Sequence, residues 1–426
     1  MFKEEIKDYG LDVFVPNLIA DLSGFVAIGL VCFITYFMAL RWPDISKIIY
    51  IALIVRILVM LGGYYFFNLP DSQADALGFE WGAWNMSQSG FFGVFEYFTG
   101  PSSFFYSWVM AIPYSLFGRS LLIIQSIGLL FGVGCVLLGW LLAKKIWDEH
   151  SAAKVGWVLA LFPSLILYSV VSLREVYCSF FLLVATFGIV YWTETKSLKF
   201  AILTIGGFVA AGFFHGPLFL GAIIFSVIYL ISILKESLIL LKTFRIKLKA
   251  LIVITLIVLF FLRYLSNEIY FPYIGKFETS INLAYWMENI SNRLTGNASY
   301  PDWTEVNNKI EFFYKIFFRV IYFLFSPFPW DVREYGHLIG MLDSLLYFIL
   351  FYFIFQNRNA IWKNPALRII LLIFISYFFV YAIGVSNFGA GIRHRSKFTI
   401  ELVILVAPLI PRFIFFSKIK LRKYLK

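Results

Sequence analysis

Three carboxylates, Asp71, Asp75 and Glu80, fall within ten residues of a chain in which only 14% of residues are charged. They sit in one polar stretch, Pro70 to Gly90, directly after the apolar run Ile48 to Phe67. A carboxylate at a membrane boundary costs little when it faces water and needs a reason when it faces a cavity. Partly shielded, it takes a raised pKa and becomes suited to removing a proton from a hydroxyl. Asp71 and Ser72 are also good N-cap types, so a solvated helix start is the plainer reading of the same residues.

Further along, charged groups recur at the ends of apolar runs. They are Arg174-Glu175, His215 before Gly216-Pro217, Asp331 with Arg333, and Arg393-His394-Arg395 with Lys397. Arginine offers a planar fork that matches paired anionic oxygens. The plainer readings are a boundary ion pair for Arg174 and Glu175 and a helix-end residue for His215. Phe79, Trp81, Trp84 and Tyr97 offer flat aromatic faces, although aromatic residues collect at every membrane interface.

What must position these groups is a set of membrane spans. The 426-residue chain is 61% hydrophobic and 20% aromatic, with a mean hydropathy of +0.81. Many separate runs reach the roughly 18 to 20 residues that cross a hydrocarbon core. They are continuous rather than alternating, which excludes a β-barrel. The expected fold is an all-α polytopic membrane protein, one integral membrane domain over residues 1–426. The net charge is +11. Its basic residues lie in short loops and at the C-terminus, where positive-inside bias accounts for them, so nucleic acid is not an expected partner. Cys32, Cys135 and Cys178 lie in apolar runs without metal-ligand spacing. A mixed-charge start with no small-residue cleavage site predicts no removable signal peptide.

Spans are expected near 17–40, 48–67, 120–143, 152–172, 176–192, a run ending at His215, 218–234, 251–264, 338–355, 367–385 and 398–416. That is about eleven transmembrane helices. Arg56, inside the second, either snorkels or lines a polar cavity. Residues 105–118 are apolar but short and contain Pro113, and 312–328 are interrupted by Lys315 and Arg319. Both read as outer-face interfacial or re-entrant helices. Were 312–328 to cross, the basic tail from Lys418 and the loop Asn357 to Lys363 would fall outside, against the positive-inside rule. The N-terminus is therefore expected outside and the C-terminus inside. Residues 68–118 and 266–337 then form two large outer loops, and every candidate site residue falls at or near the outer boundary.

These residues carry a resemblance. The pattern Asp75-x3-Phe79-x3-Ala83-x6-Gly90, just after an early span, resembles the first outer loop of the GT-C superfamily of membrane glycosyltransferases, dolichyl-phosphate-mannose mannosyltransferase-like and of the bacterial polysaccharide-pathway type. Gly100-Pro101 to Tyr106, then Ser115-Leu116-Phe117-Gly118, is similar to that family's P-P-x-Y…L-F-G element. Leu161-Phe162-Pro163-Ser164, then Leu173-Arg174-Glu175, is similar to its third segment. The likeness covers residues 47–235. It implies a GT-C-like fold and transfer of a sugar from a polyprenyl-phosphate donor to a glycan or lipid acceptor. The expected location is the extracytoplasmic face of a bacterial inner membrane, among membrane lipids. Asp75, Asp71 and Glu80 would supply the base. Arg174, Glu175, His215, Arg333, Arg393, His394, Arg395 and Lys397 would bind substrate. Many members carry an acid directly after the first Asp, where this chain has Ala76, so a divalent metal (Mg or Mn) is left open. Two other classes fit a polytopic protein. One is a polymerase or ligase acting on undecaprenyl-linked oligosaccharide, which the large second loop and the Arg393/Arg395 pair would suit. The other is a lipid-linked sugar flippase or transporter, which would favour internal repeats and mid-membrane charges.

Overall fold

A computed structural model of the chain describes residues 21–241, 298–333 and 335–411, with the single positions 259, 263 and 266. The expected N-terminal interfacial segment, most of the basic segment after Lys235, nearly all of the 251–264 span, most of the loop after it and the basic C-terminal tail lie outside the described residues. Among those described the fold is helical throughout, with an isolated antiparallel bridge between Ser299 and Asn387.

The chain begins with α1 (Leu22–Arg41) and α2 (Ser46–Tyr65). The polar stretch folds into α3 (Asp75–Ser87), and the 105–118 segment into the 13-residue α4 (Phe105–Phe117). Next come α5 (Leu121–Ile146), α6 (Glu149–Leu161), α7 (Pro163–Val170), α8 (Glu175–Thr195), α9 (Leu198–Phe214) and α10 (Phe219–Leu241). After the undescribed stretch follow α11 (Lys309–Phe325), α12 (Tyr335–Gln356), α13 (Pro365–Gly384), α14 (Phe388–Arg395) and α15 (Thr399–Leu405).

Six of these regions, within α1, α2, α5, α8, α10 and α13, are long and apolar enough to cross a membrane, or seven if the bent pair α6–α7 counts as one span. The expectation was about eleven. Two of the other expected spans are the shorter apolar helices Leu198–Phe214 and Gly340–Gln356. The last is broken: Ser396–Phe398 is a 3-10 turn, α15 follows, and Ala407–Leu409 is a second 3-10 turn. Burial ranks the spans. The most apolar window of α5 is 72% buried and that of α8 67%, against 22% for α1, so α5 and α8 form the centre and α1 the rim.

Small residues let the centre close. A Cβ at Gly128 would stand 2.8 Å from the Ser169 carbonyl oxygen, and one at Gly132 2.6 Å from the Ser169 Cβ, so glycine is what lets α7 lie against α5. The α6–α7 pair bends by 55° at Pro163. Proline has no N–H for the carbonyl one turn back, so the break strands acceptors in an apolar interior. Arg56 supplies the donors. It reaches Leu159 O at 3.1 Å, Ala160 O at 3.0 Å, Ala52 O at 3.2 Å and Ser169 Oγ at 3.1 Å. Arg56 therefore neither snorkels nor lines a large polar cavity: it repairs a helix break. Arg319 does similar work in α11, donating to Ala382 O, Val385 O and Ser386 Oγ at 2.7–2.9 Å. With that arginine turned inward, α11 shows the opposite face, Ile310, Phe313, Tyr314, Phe317, Phe318 and Ile321, as an exposed apolar stripe.

Ion pairs mark the ends of the bundle. At one end Lys144 pairs with Asp44 and Glu149, and Lys145 with Glu194. At the same end Trp147 donates to Ile404 O, and Asn357, closing α12, donates to Leu405 O. The other end gathers the start of α3, the start of α8, the end of α9 and all of α14.

Candidate functional site

The site is built on α14. Asn387 caps it, its side-chain oxygen accepting from the Gly389 and Ala390 N–H groups. A helix turns about 100° per residue, so Arg393, His394 and Lys397 share one side and Arg395 faces away. On the shared side Arg393 Nη1 meets Asp75 Oδ2 at 2.6 Å, and its Nε lies 3.7 Å from Glu175 Oε1. Lys397 Nζ lies 3.4 Å from the same oxygen and donates to His394 Nδ1 at 2.8 Å. With Lys397 as an ammonium donor, His394 Nδ1 is the acceptor of that bond. His394 Nδ1 also lies 3.9 Å from Glu175 Oε1.

Asp75 and Glu175 each stand in the first turn of a helix, α3 and α8, where a negative charge is favoured by the aligned backbone dipoles. Their exposures differ. The Asp75 side chain is 56% exposed, whereas that of Glu175 is 2% exposed and its Oε2 has no hydrogen-bond partner. Arg174 adds positive charge beside Glu175; its guanidinium lies over the Phe79 ring, 5.2 Å from the centroid. His215 shares a 2.6 Å hydrogen bond with Tyr381, and its ring centre lies 4.9 Å from that of His394. Burial, reinforced by Arg174 and Arg393 and opposed by Glu175, pushes the Lys397 ammonium down to about 8.

Asp71 sits in the left-handed backbone region at φ 57° and accepts from the Tyr168 hydroxyl at 2.7 Å. It lines a cavity of about 580 Å³ between the 68–71 loop, α7, α12 and α14. Asn68, Tyr168, His337, Asp343 and Phe388 contribute to the walls, and the remainder is largely aliphatic. Solvent reaches Asp71, but protein surrounds its carboxyl on most sides. That enclosure raises it above the usual carboxylate range, although Tyr168 and Arg393 pull it back.

The structure thus brings together Asp71, Asp75, Arg174, Glu175, His215, Arg393, His394 and Lys397. It does not bring Glu80, Arg395 or Arg333 to that cluster. Glu80 is buried between α3 and α4, taking two donors from Arg119 at 2.8–2.9 Å and one from Tyr114 at 3.0 Å. Arg395 is fully buried. It donates to Asp343 Oδ2 at 2.9 Å, to Ser344 Oγ, and to the carbonyls of Leu324 and Ser326. The Arg393/Arg395 pair expected from the sequence is therefore split between two sets of partners. Arg333 is exposed, its backbone N–H bonded to His337 Nδ1. Tyr168, Tyr381 and Asp343 are the site residues that sequence reasoning missed. Only Asp343 carried a signal, as a lone acid in an apolar run.

Among the described residues no three His, Cys, Asp or Glu side chains are grouped to hold an ion, and Asp75 is engaged by Arg393. These donors do not fit a resident divalent metal. No family model matches the chain, and neither a curated protein nor a solved structure matches it.

Proposed function

We propose that the protein is a membrane glycosyltransferase that moves a sugar from a polyprenyl-phosphate donor to a glycan or lipid acceptor at the extracytoplasmic face of a bacterial inner membrane. The observation that carries this reading is the junction of Asp75 with Arg393 beside a mostly apolar cavity, at the end of a bundle of membrane-length helices. Arg393, Lys397 and Arg174 form a cationic corner for a phosphate, and lipid-facing helices suit a prenyl chain. Arg393 is held by Asp75 in the free protein. A phosphate arriving at Arg393 competes for that guanidinium and releases the carboxylate next to the reacting carbon. Asp75 then takes the proton of the acceptor hydroxyl. The acceptor oxygen bonds to the anomeric carbon, and the sugar–phosphate bond breaks, its electron pair leaving on the lipid phosphate. The cationic corner stabilises that charge. The polymerase or ligase alternative leaned on paired arginines, and Arg393 and Arg395 do not act as a pair.

The test is transfer by the purified protein in nanodiscs, using polyprenyl-phosphate-linked radiolabelled sugars and lipid acceptors. Asp75→Asn is expected to lower turnover by about 10² to 10⁴, the usual worth of a general base. Arg393→Ala is expected to weaken binding of decaprenyl phosphate. Wild-type turnover in Asp75→Asn, together with unchanged lipid-phosphate binding in Arg393→Ala, would sink the reading.

A further inference from the structure

The cavity differs in charge from the corner beside it. Asp71 contributes a carboxylate from the 68–71 loop and Asp343 another from α12. Among the described residues that line it there is no Lys or Arg. Asp343 is only 7% exposed. Arg395 fixes it by two contacts to Oδ2, at 2.9 and 3.3 Å, while Oδ1 has no hydrogen-bond partner. The guanidinium orients the carboxylate and leaves one acceptor unused. A buried acceptor without a donor is a cost that a ligand O–H or N–H relieves. Asn68 and His337 add polar groups, and the Phe388 ring, met edge-on by His337 with centroids 4.6 Å apart, gives an apolar surface. The volume lies within the roughly 300–1,000 Å³ of small-molecule pockets.

We infer that this cavity takes a sugar ring that is uncharged or bears an amine, that it rejects acidic sugars, and that Asp343 is the specificity-determining wall. The inference rests on the glycosyl-transfer reading and adds the class of sugar to it. Phosphate belongs beside Arg393, Arg174 and Lys397. A uronic carboxylate placed in the cavity would meet the Asp71 carboxyl and the Asp343–Arg395 pair with no described Lys or Arg side chain on the wall to receive it, whereas ring hydroxyls or an ammonium would donate to these acids. The donor is thereby oriented: Asp71, coupled to Arg393 and lining the cavity, marks the border between phosphate and sugar.

The test uses full-length protein in nanodiscs and four probes: a short-chain prenyl phosphate, and the same lipid phosphate bearing glucose, glucosamine or glucuronic acid. Competition against labelled prenyl phosphate gives the affinities. The glucosyl and glucosaminyl compounds are expected to bind at least about tenfold more tightly than the glucuronyl one. Asp343→Asn should narrow that ratio to about threefold or less by admitting the acid. Because Asp343→Asn weakens a buried ion pair, Asn68→Asp is a second variant; it adds charge to the wall outside that pair and should widen the ratio. Equal or tighter binding of the glucuronyl compound by the wild type overturns the inference while the bare phosphate still binds. Failure of the bare prenyl phosphate to bind at all overturns the glycosyl-transfer reading, and the inference with it.

Discussion

Asp71 and Asp75 lie four residues apart and meet different partners. Asp75 faces an arginine, while Asp71 faces a tyrosine hydroxyl inside a cavity wall. The folded form holds the Asp71 proton more tightly than the unfolded chain does, because burial raises its carboxyl. Its contribution to stability is then fully present below the ordinary aspartate value and is lost as pH rises through the raised one. Asp71→Asn should remove that slope. The difference in Tm between wild type and variant, followed in detergent from acid upward, should move against the wild type over that window; a flat difference would mean an unperturbed carboxyl. Lys397 predicts an alkaline limb. Its ammonium, pushed down to about 8 by burial and by Arg174 and Arg393, turns neutral as pH rises past that value. Lipid-phosphate affinity should therefore fall through about pH 8, and Lys397→Arg should abolish that limb because a guanidinium stays charged. A limb that survives Lys397→Arg would assign it to another group.

At the scale of elements, α14 decides which of its charges can serve a ligand. Arg393 and Arg395 are two residues apart, about 200° around a helix, so one helix cannot aim both at one site. The sequence shows the cluster as charge stranded between apolar runs. It does not show the phase, because eight residues of mixed polarity have no apolar stripe to fix it. The same limit applies to Asp343, visible as an acid in an apolar run, whose partner Arg395 lies 52 residues on. Glu80 was legible as a third carboxylate, yet its role depends on Arg119, which only the packing of α3 on α4 brings to it. The bend at Pro163 could be read from proline alone, but its repair by Arg56, more than a hundred residues away, could not. These pairings predict opposite phenotypes on one helix. Arg395→Ala leaves Asp343 buried without its partner and should cost about 3–5 kcal/mol, seen as a large drop in Tm. Arg393→Ala, at a more exposed position, should cost far less stability while weakening lipid-phosphate binding. Equal Tm losses in the two variants would contradict the split.

For the whole molecule, the two ends of the bundle carry different chemistry, and their sidedness follows from one rule. The Lys144–Lys145 end also holds Glu149 and the close of α12, and on the proposed topology positive-inside bias would make it cytoplasmic. The α14 end would then be extracytoplasmic. The helix that tests this is α11. At 17 residues, amphipathic and anchored through Arg319, it is better suited to lie along the bundle end than to cross. If it does not cross, α12 starts at the α14 end and Asn359 lies on the same side as Glu149. If it crosses, that parity flips for everything after it. Single cysteines decide between these once Cys32, the partly exposed native thiol, is replaced; Cys135 and Cys178 are buried. Ser103 and Asp302 changed to cysteine should react with an impermeant thiol reagent added to intact cells. Glu149, Lys199 and Asn359 changed to cysteine should react only after the membrane is opened. Labelling of Asn359→Cys but not Glu149→Cys in intact cells would show that α11 spans, and would set the C-terminal half of the site on the opposite side of the membrane from Asp75. The 2.6 Å contact between Asp75 and Arg393 could not then form, so this labelling pattern tests the fold and the site together.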